Sequence, residues 1–227
     1  MWCKLDQQGI IRMVNKQIAN YWDCTIPEEA YVSVERALKR LEINFSKIKS
    51  GYFKKDGETA FKIEHSVQYA IFLYLLSNQL YKDGFEETAS YVYYLNKIMH
   101  AVDWFYAIEL PEQFCAEHTV ASVLGRAKYK KRFCVYQGVT VGGNRKGDII
   151  YYPEFGENVV LYADSKVIGR SKVGNNVIVS ANTIIKDASI PDNSIVFGQS
   201  PNLVIKTKSE KEIKDMMRHI WIFEEEE

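Results

Sequence analysis

The sequence predicts an α+β chain: an N-terminal α-helical domain, a parallel β-helix of six-residue repeats, and a short C-terminal helix. Over residues 26–100 apolar side chains recur at three- and four-residue steps, the period of a helix with one buried face. Over 123–201 they recur every six residues, the period of a solenoid that stacks one short strand on each side of a prism. A glycine-rich segment at 142–153 breaks that phase and should loop out.

In the helical half, Thr25 can cap a helix whose first turn holds Pro27, Glu28 and Glu29, all favourable at an N-terminus. Val34, Leu38, Leu41, Phe45 and Ile48 give that helix an apolar face, and residues 49–56, with Gly51, break it. A second helix is expected over 63–82, stopped at Gly84. Its segment SVQYAIFLYLLSNQLY is apolar nearly all round and should be buried. It is too short and too interrupted by polar residues to span a bilayer. A third helix, 86–100, carries a face of Tyr91, Tyr94 and Leu95, a stripe suited to a core or an interface.

Beyond residue 100 the period changes. Phe155, Leu161, Val167, Val173, Val179 and Ile185 follow one another at six-residue steps, and upstream Val123, Tyr129, Val135 and Val141 keep the step. Val159, Ser165, Ser171, Val177 and Thr183 form a second series of small or β-branched side chains. The repeated aliphatic residues should point inward and build a column that no single repeat could bury alone. Gly156, Gly169, Gly174, Asn175, Asn176, Asn182, Asp192 and Asn193 are turn formers for the corners. The insertion GGNRKGDIIYYP separates Val141 from Phe155. A short helix is expected over 209–222, followed by a frayed tail of four Glu. The domain division is therefore 1–105, 106–205 and 206–227.

The 227 residues balance 29 basic against 29 acidic side chains, so nothing global favours nucleic acid or an anionic membrane. Without a basic, apolar leader or an apolar run approaching 18 residues, the expectation is a cytoplasmic protein with no membrane span. Cys3, Cys24, Cys115 and Cys134 form no CxxC pair and are expected as reduced thiols, the last two as packing residues.

The run YQGVTVGG, then GD and a Pro, then SKVIG, VGNNV, VSANTIIKD and IPDNSIVFGQSP, resembles the serine acetyltransferase family of hexapeptide acyltransferases. The resemblance covers roughly residues 100–205, with one-residue adjustments near Gly125, and in outline the helical half. It implies a left-handed parallel β-helix and a homotrimer with acetyl-CoA in the groove between adjacent β-helices. It also implies assembly through the helical half, with pairing of two trimers left open.

By the same resemblance, Glu117-His118 matches the family's acid-plus-histidine motif, and Asp103 stands at the place of its second acid, fifteen positions before the base. Moving an acetyl group from a thioester to an alcohol requires that the hydroxyl lose its proton as the oxygen attacks. A neutral imidazole such as His118 suits that task, with a carboxylate to fix its tautomer. Backbone N–H groups of Gly142 and Gly143 could receive the oxyanion. Ala163, Ser180 and Ala181 match small positions beside the pantetheine arm, and Lys186 matches a lysine near the CoA phosphates. No metal is expected: a carbonic-anhydrase-like zinc site would use three histidines, and residues 101–218 hold only His118.

The family's Arg-His pair before the loop proline is replaced by Tyr151-Tyr152 ahead of Pro153, which removes the bidentate fork for an amino-acid carboxylate. Tyrosine faces suit sugar rings. The expectation on this basis is an acetyl-CoA-dependent O-acetyltransferase acting on a sugar or surface (capsule) polysaccharide, with Tyr151 and Tyr152 holding the acceptor. The alternatives are serine O-acetyltransferase of cysteine biosynthesis and a catalytically inactive trimeric scaffold.

Overall fold

The computed structural model describes residues 1–223, and the acidic tail at 224–227 lies outside the described residues. Four helices, α1 (Gln7–Ala19), α2 (Tyr31–Ser46), α3 (Ser66–Lys82) and α4 (Glu86–His100), precede a parallel β-solenoid of about five turns. A fifth, α5 (Glu210–Met217), follows it.

α1 goes beyond what the sequence predicts, although its signals are ordinary. Asp6 caps it by accepting from the Gly9 amide at 2.7 Å, and Ile10, Ile11, Val14 and Ile18 form the buried face. Thr25 does not cap α2. A 3₁₀ turn at Glu28–Ala30 intervenes, and the α-helix begins at Tyr31. The break after α2 contains a small hairpin, Lys54–Lys55 against Glu58–Thr59. α3 begins three residues later than expected and is buried on nearly every side. Its Tyr74 hydroxyl donates to the Ile108 carbonyl at 2.8 Å and accepts from the Leu110 amide at 3.0 Å. Asn78 donates to the Tyr106 carbonyl at 2.7 Å. α3 thus satisfies the backbone of the linker that enters the solenoid, which explains polar residues in so apolar a helix.

Each solenoid turn lays down up to three short strands. The first side stacks Phe114–Ala116, Phe133–Val135, Val159–Leu161, Val177–Val179 and Ser194–Gln199 in parallel register. The second stacks Asp103–Trp104, Val123–Leu124, Thr140–Gly142, Lys166–Ile168 and Ile184–Lys186. The third is shorter: Glu154–Phe155, Lys172–Val173 and Ser189–Ile190.

The six-residue series is interior, and the register splits it into three columns, one per side. Val135, Leu161, Val179 and Val196 line the first, Leu124, Val141, Val167 and Ile185 the second, and Phe155, Val173 and Ile190 the third. All are buried. Tyr129 caps the third column, stacked on Phe155 with centroids 5.4 Å apart. One upstream member is out of phase. Val123 is 38 % exposed and Leu124 takes the inward place, because only five residues separate Leu124 from Tyr129. Glycine is needed where coils touch: a Cβ at Gly156 would lie 2.6 Å from the Gly174 carbonyl carbon.

The insertion is a hairpin, Asn144–Lys146 against Ile149–Tyr151. Asp187 fastens it to the solenoid, pairing with Lys146 at 2.9 Å and accepting from Asn144 at 3.2 Å. After the last coil, Asn202–Thr207 turns back antiparallel on Ser194–Gln199. α5 is shorter than 209–222 and starts at a Ser209–Glu212 capping box. The chain beyond it returns to the helical half, where the Lys49 amide donates to the Ile220 carbonyl at 2.9 Å and Ile222 donates to Lys47 at 3.0 Å. Among the described residues no helix is long and apolar enough to cross a membrane.

Candidate functional site

His118 sits on the corner between the first and second sides in the opening coil. That corner is longer than those below it. Val123 stands seven positions after Ala116, whereas in the pairs Val135–Thr140, Leu161–Lys166 and Val179–Ile184 the second residue stands five positions after the first. The surplus pushes His118 outward. His118 and Ala121 both take left-handed backbone, with φ of 50° and 61°. Thr119 anchors the bulge from inside: its carbonyl accepts from Ser122 Oγ at 2.7 Å, and Ser122 Oγ accepts from Trp104 Nε1 at 2.9 Å. The His118 side chain is exposed and makes no hydrogen bond to another described residue.

Glu117 and His118 open onto a cleft of about 630 Å³ between the first coil and the helical half. Its other wall contains Tyr52 in the 3₁₀ turn Gly51–Phe53, His65 and Ser66 at the start of α3, and Met99, His100 and Ala101 at the end of α4. Three of the chain's four histidines therefore line one cleft. His65 and His100 do not stand out in the sequence, because no motif links the helical half to the repeat half; the one signal they carry is that both stand at helix ends. His100 Nδ1 lies 2.8 Å from Asn96 Oδ1, and burial lowers the ring's pKa to about 4.

This shift has a stability consequence. The native ring is neutral, while an unfolded histidine, near 6.5, binds its proton first, so stability is lost as pH falls from about 6.5 towards about 4. Denaturation midpoints across that range should show this slope, and His100→Gln should flatten it.

Asp103 is not joined to His118 by a hydrogen bond. Its Oδ1 accepts from Tyr93 at 2.6 Å and its Oδ2 pairs with Lys97 at 2.7 Å, both on α4. Burial acts to raise its pKa, but these two donors outweigh it and hold the carboxylate below its usual range. Cys115 and Cys134 are register neighbours, buried and free, and burial, then Cys115, push the Cys134 thiol well up. That disfavours a thiolate nucleophile.

The residues matched to cofactor positions flank the second side. Ala163 and Ala181 stack on the same corner line as His118, with the Asn182 amide donating to the Ala163 carbonyl at 2.9 Å. With coils about 4.8 Å apart, the three steps from Ala181 up to His118 cover about 14 Å. Ser180 precedes Ala181 on that corner. Gly142 and Lys186 end registered strands at the opposite edge of the side, followed by Gly143. Within one chain a strand thus separates His118 from the two glycines. The Lys186 ammonium is exposed and has no ion-pair partner among the described residues. No group of three His, Cys, Asp or Glu suited to hold a metal occurs among them either.

Tyr151 and Tyr152 have packing roles. The Arg170 guanidinium lies over the Tyr151 ring at 5.6 Å, and a Cβ on Gly143 would meet the Tyr152 ring at 2.9 Å. The rings help seat the hairpin on the coil, which accounts for aromatic residues there without a sugar.

No family model matches the chain. A serine acetyltransferase of Staphylococcus epidermidis is 26 % identical over 144 residues, covering 63 % of this chain and 67 % of that protein. Among solved structures, a serine acetyltransferase in complex with cysteine superposes with a TM-score of 0.71 at 19 % identity, over 94 % of this chain and 85 % of that one. A Brucella abortus serine acetyltransferase in complex with coenzyme A superposes with a TM-score of 0.70, also at 19 % identity, over 91 % and 84 %. At that identity the superpositions speak to fold. These findings correct the expectation of a sugar or capsule-polysaccharide acceptor, because the matching proteins are named for serine. In sequence over most of its length, and in fold over nearly all of it, the chain is serine acetyltransferase-like, with a hexapeptide-repeat solenoid.

Proposed function

We propose that the protein is an acetyl-CoA-dependent O-acetyltransferase whose acceptor is L-serine. The observation that carries the reading is His118, raised on a lengthened corner beside Glu117 over a cleft of about 630 Å³, in a chain similar to serine acetyltransferases. His118 takes the serine hydroxyl proton as the oxygen attacks the thioester carbonyl. The tetrahedral intermediate collapses with loss of the CoA sulfur, which receives that proton from the imidazolium, leaving O-acetylserine and CoA. Glu117 lines the same cleft and offers the acceptor its carboxylate. Asp103 is the acid that the resemblance pairs with His118; in this chain its carboxylate is held by Tyr93 and Lys97 of α4 and makes no hydrogen bond to the imidazole.

Acetyl-CoA is the donor substrate in this reading. The corner line of Ala163, Ser180 and Ala181 admits a close approach of the pantetheine arm towards His118, and Lys186 is left exposed for phosphate. Gly142 and Gly143 lie across the second side from His118, so in this reading their amides meet the oxyanion formed at the His118 of a neighbouring chain in a homotrimer. In this division residues 106–205 supply His118 and Glu117, while residues 1–105 supply the opposite wall of the cleft and the helices that assemble the oligomer.

The direct test follows free thiol release with acetyl-CoA and L-serine. The expected kcat/KM is on the order of 10⁴ M⁻¹s⁻¹ or above, the range for an enzyme on its own substrate. Absence of serine-dependent release from the intact oligomer would overturn the assignment in favour of an inactive scaffold.

A further inference from the structure

The cleft beside His118 is complementary to a zwitterion. Its lining holds a single acid, Glu117, three imidazoles, and neither lysine nor arginine. α3, a helix of 17 residues, also opens into it: Ser66 and Val67 of the first turn line the wall. The unsatisfied N–H groups of such a turn carry partial positive charge.

His65 stands immediately before that turn and does not cap it with its side chain. Its Nδ1 is sealed from solvent and has no partner, a costly state for a polar atom. Its Nε2 makes no hydrogen bond among the described residues and is the ring nitrogen left for a ligand. Tyr52 and Phe53 hold the ring, with centroids 5.5 and 6.2 Å away. Burial lowers the imidazole's pKa, and the charge of Glu117 and the residue's own backbone oppose that shift, although the ring makes no well-formed hydrogen bond to that backbone; the acid and this ring act on each other within the cleft. His100 differs, since Asn96 occupies its Nδ1 and burial keeps it neutral.

We infer that His65 is an acceptor-binding residue that donates from Nε2 to the carboxylate of the amino-acid substrate. This rests on the serine reading and extends it. An amino acid presents an ammonium, a carboxylate and, in serine, a hydroxyl. The cleft offers an acid to the first, an imidazole N–H beside a helix N-terminus to the second, and His118 to the third. A neutral imidazole N–H bonded to a carboxylate is a charge-assisted contact. Such contacts are worth roughly ten- to a hundredfold in affinity.

The experiment compares L-serine with L-serinamide, which keeps the ammonium and hydroxyl but has a neutral amide for the carboxylate. Wild-type enzyme should favour serine by roughly tenfold or more in kcat/KM. His65→Ala and His65→Ser should erase most of that preference, chiefly through a higher KM for serine, while serinamide turnover falls far less. Serine is a favoured N-cap residue, so His65→Ser supports the start of α3 and keeps the test readable if the alanine variant is unstable. Variants that lose both acceptors equally, or that retain the serine preference, overturn the role of His65 and leave the serine reading standing. Wild-type enzyme with no serine turnover overturns both.

Discussion

Replacing His118 should lower kcat for serine acetylation by roughly 10²–10⁴-fold, the usual worth of a general base, with little change in thermal stability or acetyl-CoA affinity. The structural reason is that His118 carries no part of the fold. Its side chain is exposed and bonded to no other described residue, while Thr119 and Ser122 hold the bulge from within. Its backbone is the complication, because φ is +50° and a left-handed conformation suits alanine poorly. His118→Asn is therefore the better variant: asparagine tolerates that backbone and supplies no base of suitable pKa. Asp103→Asn should show a smaller loss, since its oxygens already serve Lys97 and Tyr93. Near-wild-type turnover in His118→Asn would move the base elsewhere.

The repeat half was legible because one covalent spacing dictates its architecture. A six-residue phase held from Phe155 to Ile185 can bury its aliphatic members only in a solenoid, and the strand registers follow it. Legibility failed where the spacing slipped. Val123 obeys the count yet faces out, because the coil between Leu124 and Tyr129 is one residue short. The helices were legible in kind and less so at their ends, as at Thr25, where a 3₁₀ turn stands between the expected cap and α2. α1 carries the signature of a capped amphipathic helix from Asp6 to Ile18 in its sequence.

The candidate site divides in the same way. Glu117 and His118 were visible as a short motif, but no local pattern announces that this corner is two residues longer than the others. That appears only when the coils are placed in register. Nor could sequence spacing bring His65 and His100 to His118, because the helical half packs on the first coil through tertiary contacts. The expectation of a sugar acceptor fails for a related reason. Tyr151 and Tyr152 look like a platform for a ligand in the sequence, whereas in the fold they pack the hairpin, one beneath Arg170 and one against Gly143. An aromatic pair in an inserted loop first has to hold that loop down.

The solenoid should fail outright if a charge enters its interior. Val167 lies in the middle of the second-side column, registered with Val141 above and Ile185 below, and is fully buried. Val167→Asp would place a carboxylate there without a partner, and an uncompensated buried charge costs about 3–5 kcal/mol. The lost packing of the valine adds to that. Against a typical total of about 5–15 kcal/mol, the variant should be largely unfolded or trapped in aggregates, with a collapsed circular-dichroism melt and rapid proteolysis. The instructive control is Val123→Asp. Val123 belongs to the same six-residue series in the sequence, yet it is 38 % exposed and its neighbour Leu124 faces the core. An exposed substitution of that kind usually costs within about 0.5 kcal/mol, so Val123→Asp should melt near the wild-type temperature. The reverse result, a folded Val167→Asp and an unfolded Val123→Asp, would mean that the second side has its faces exchanged, a register one residue away from the one described.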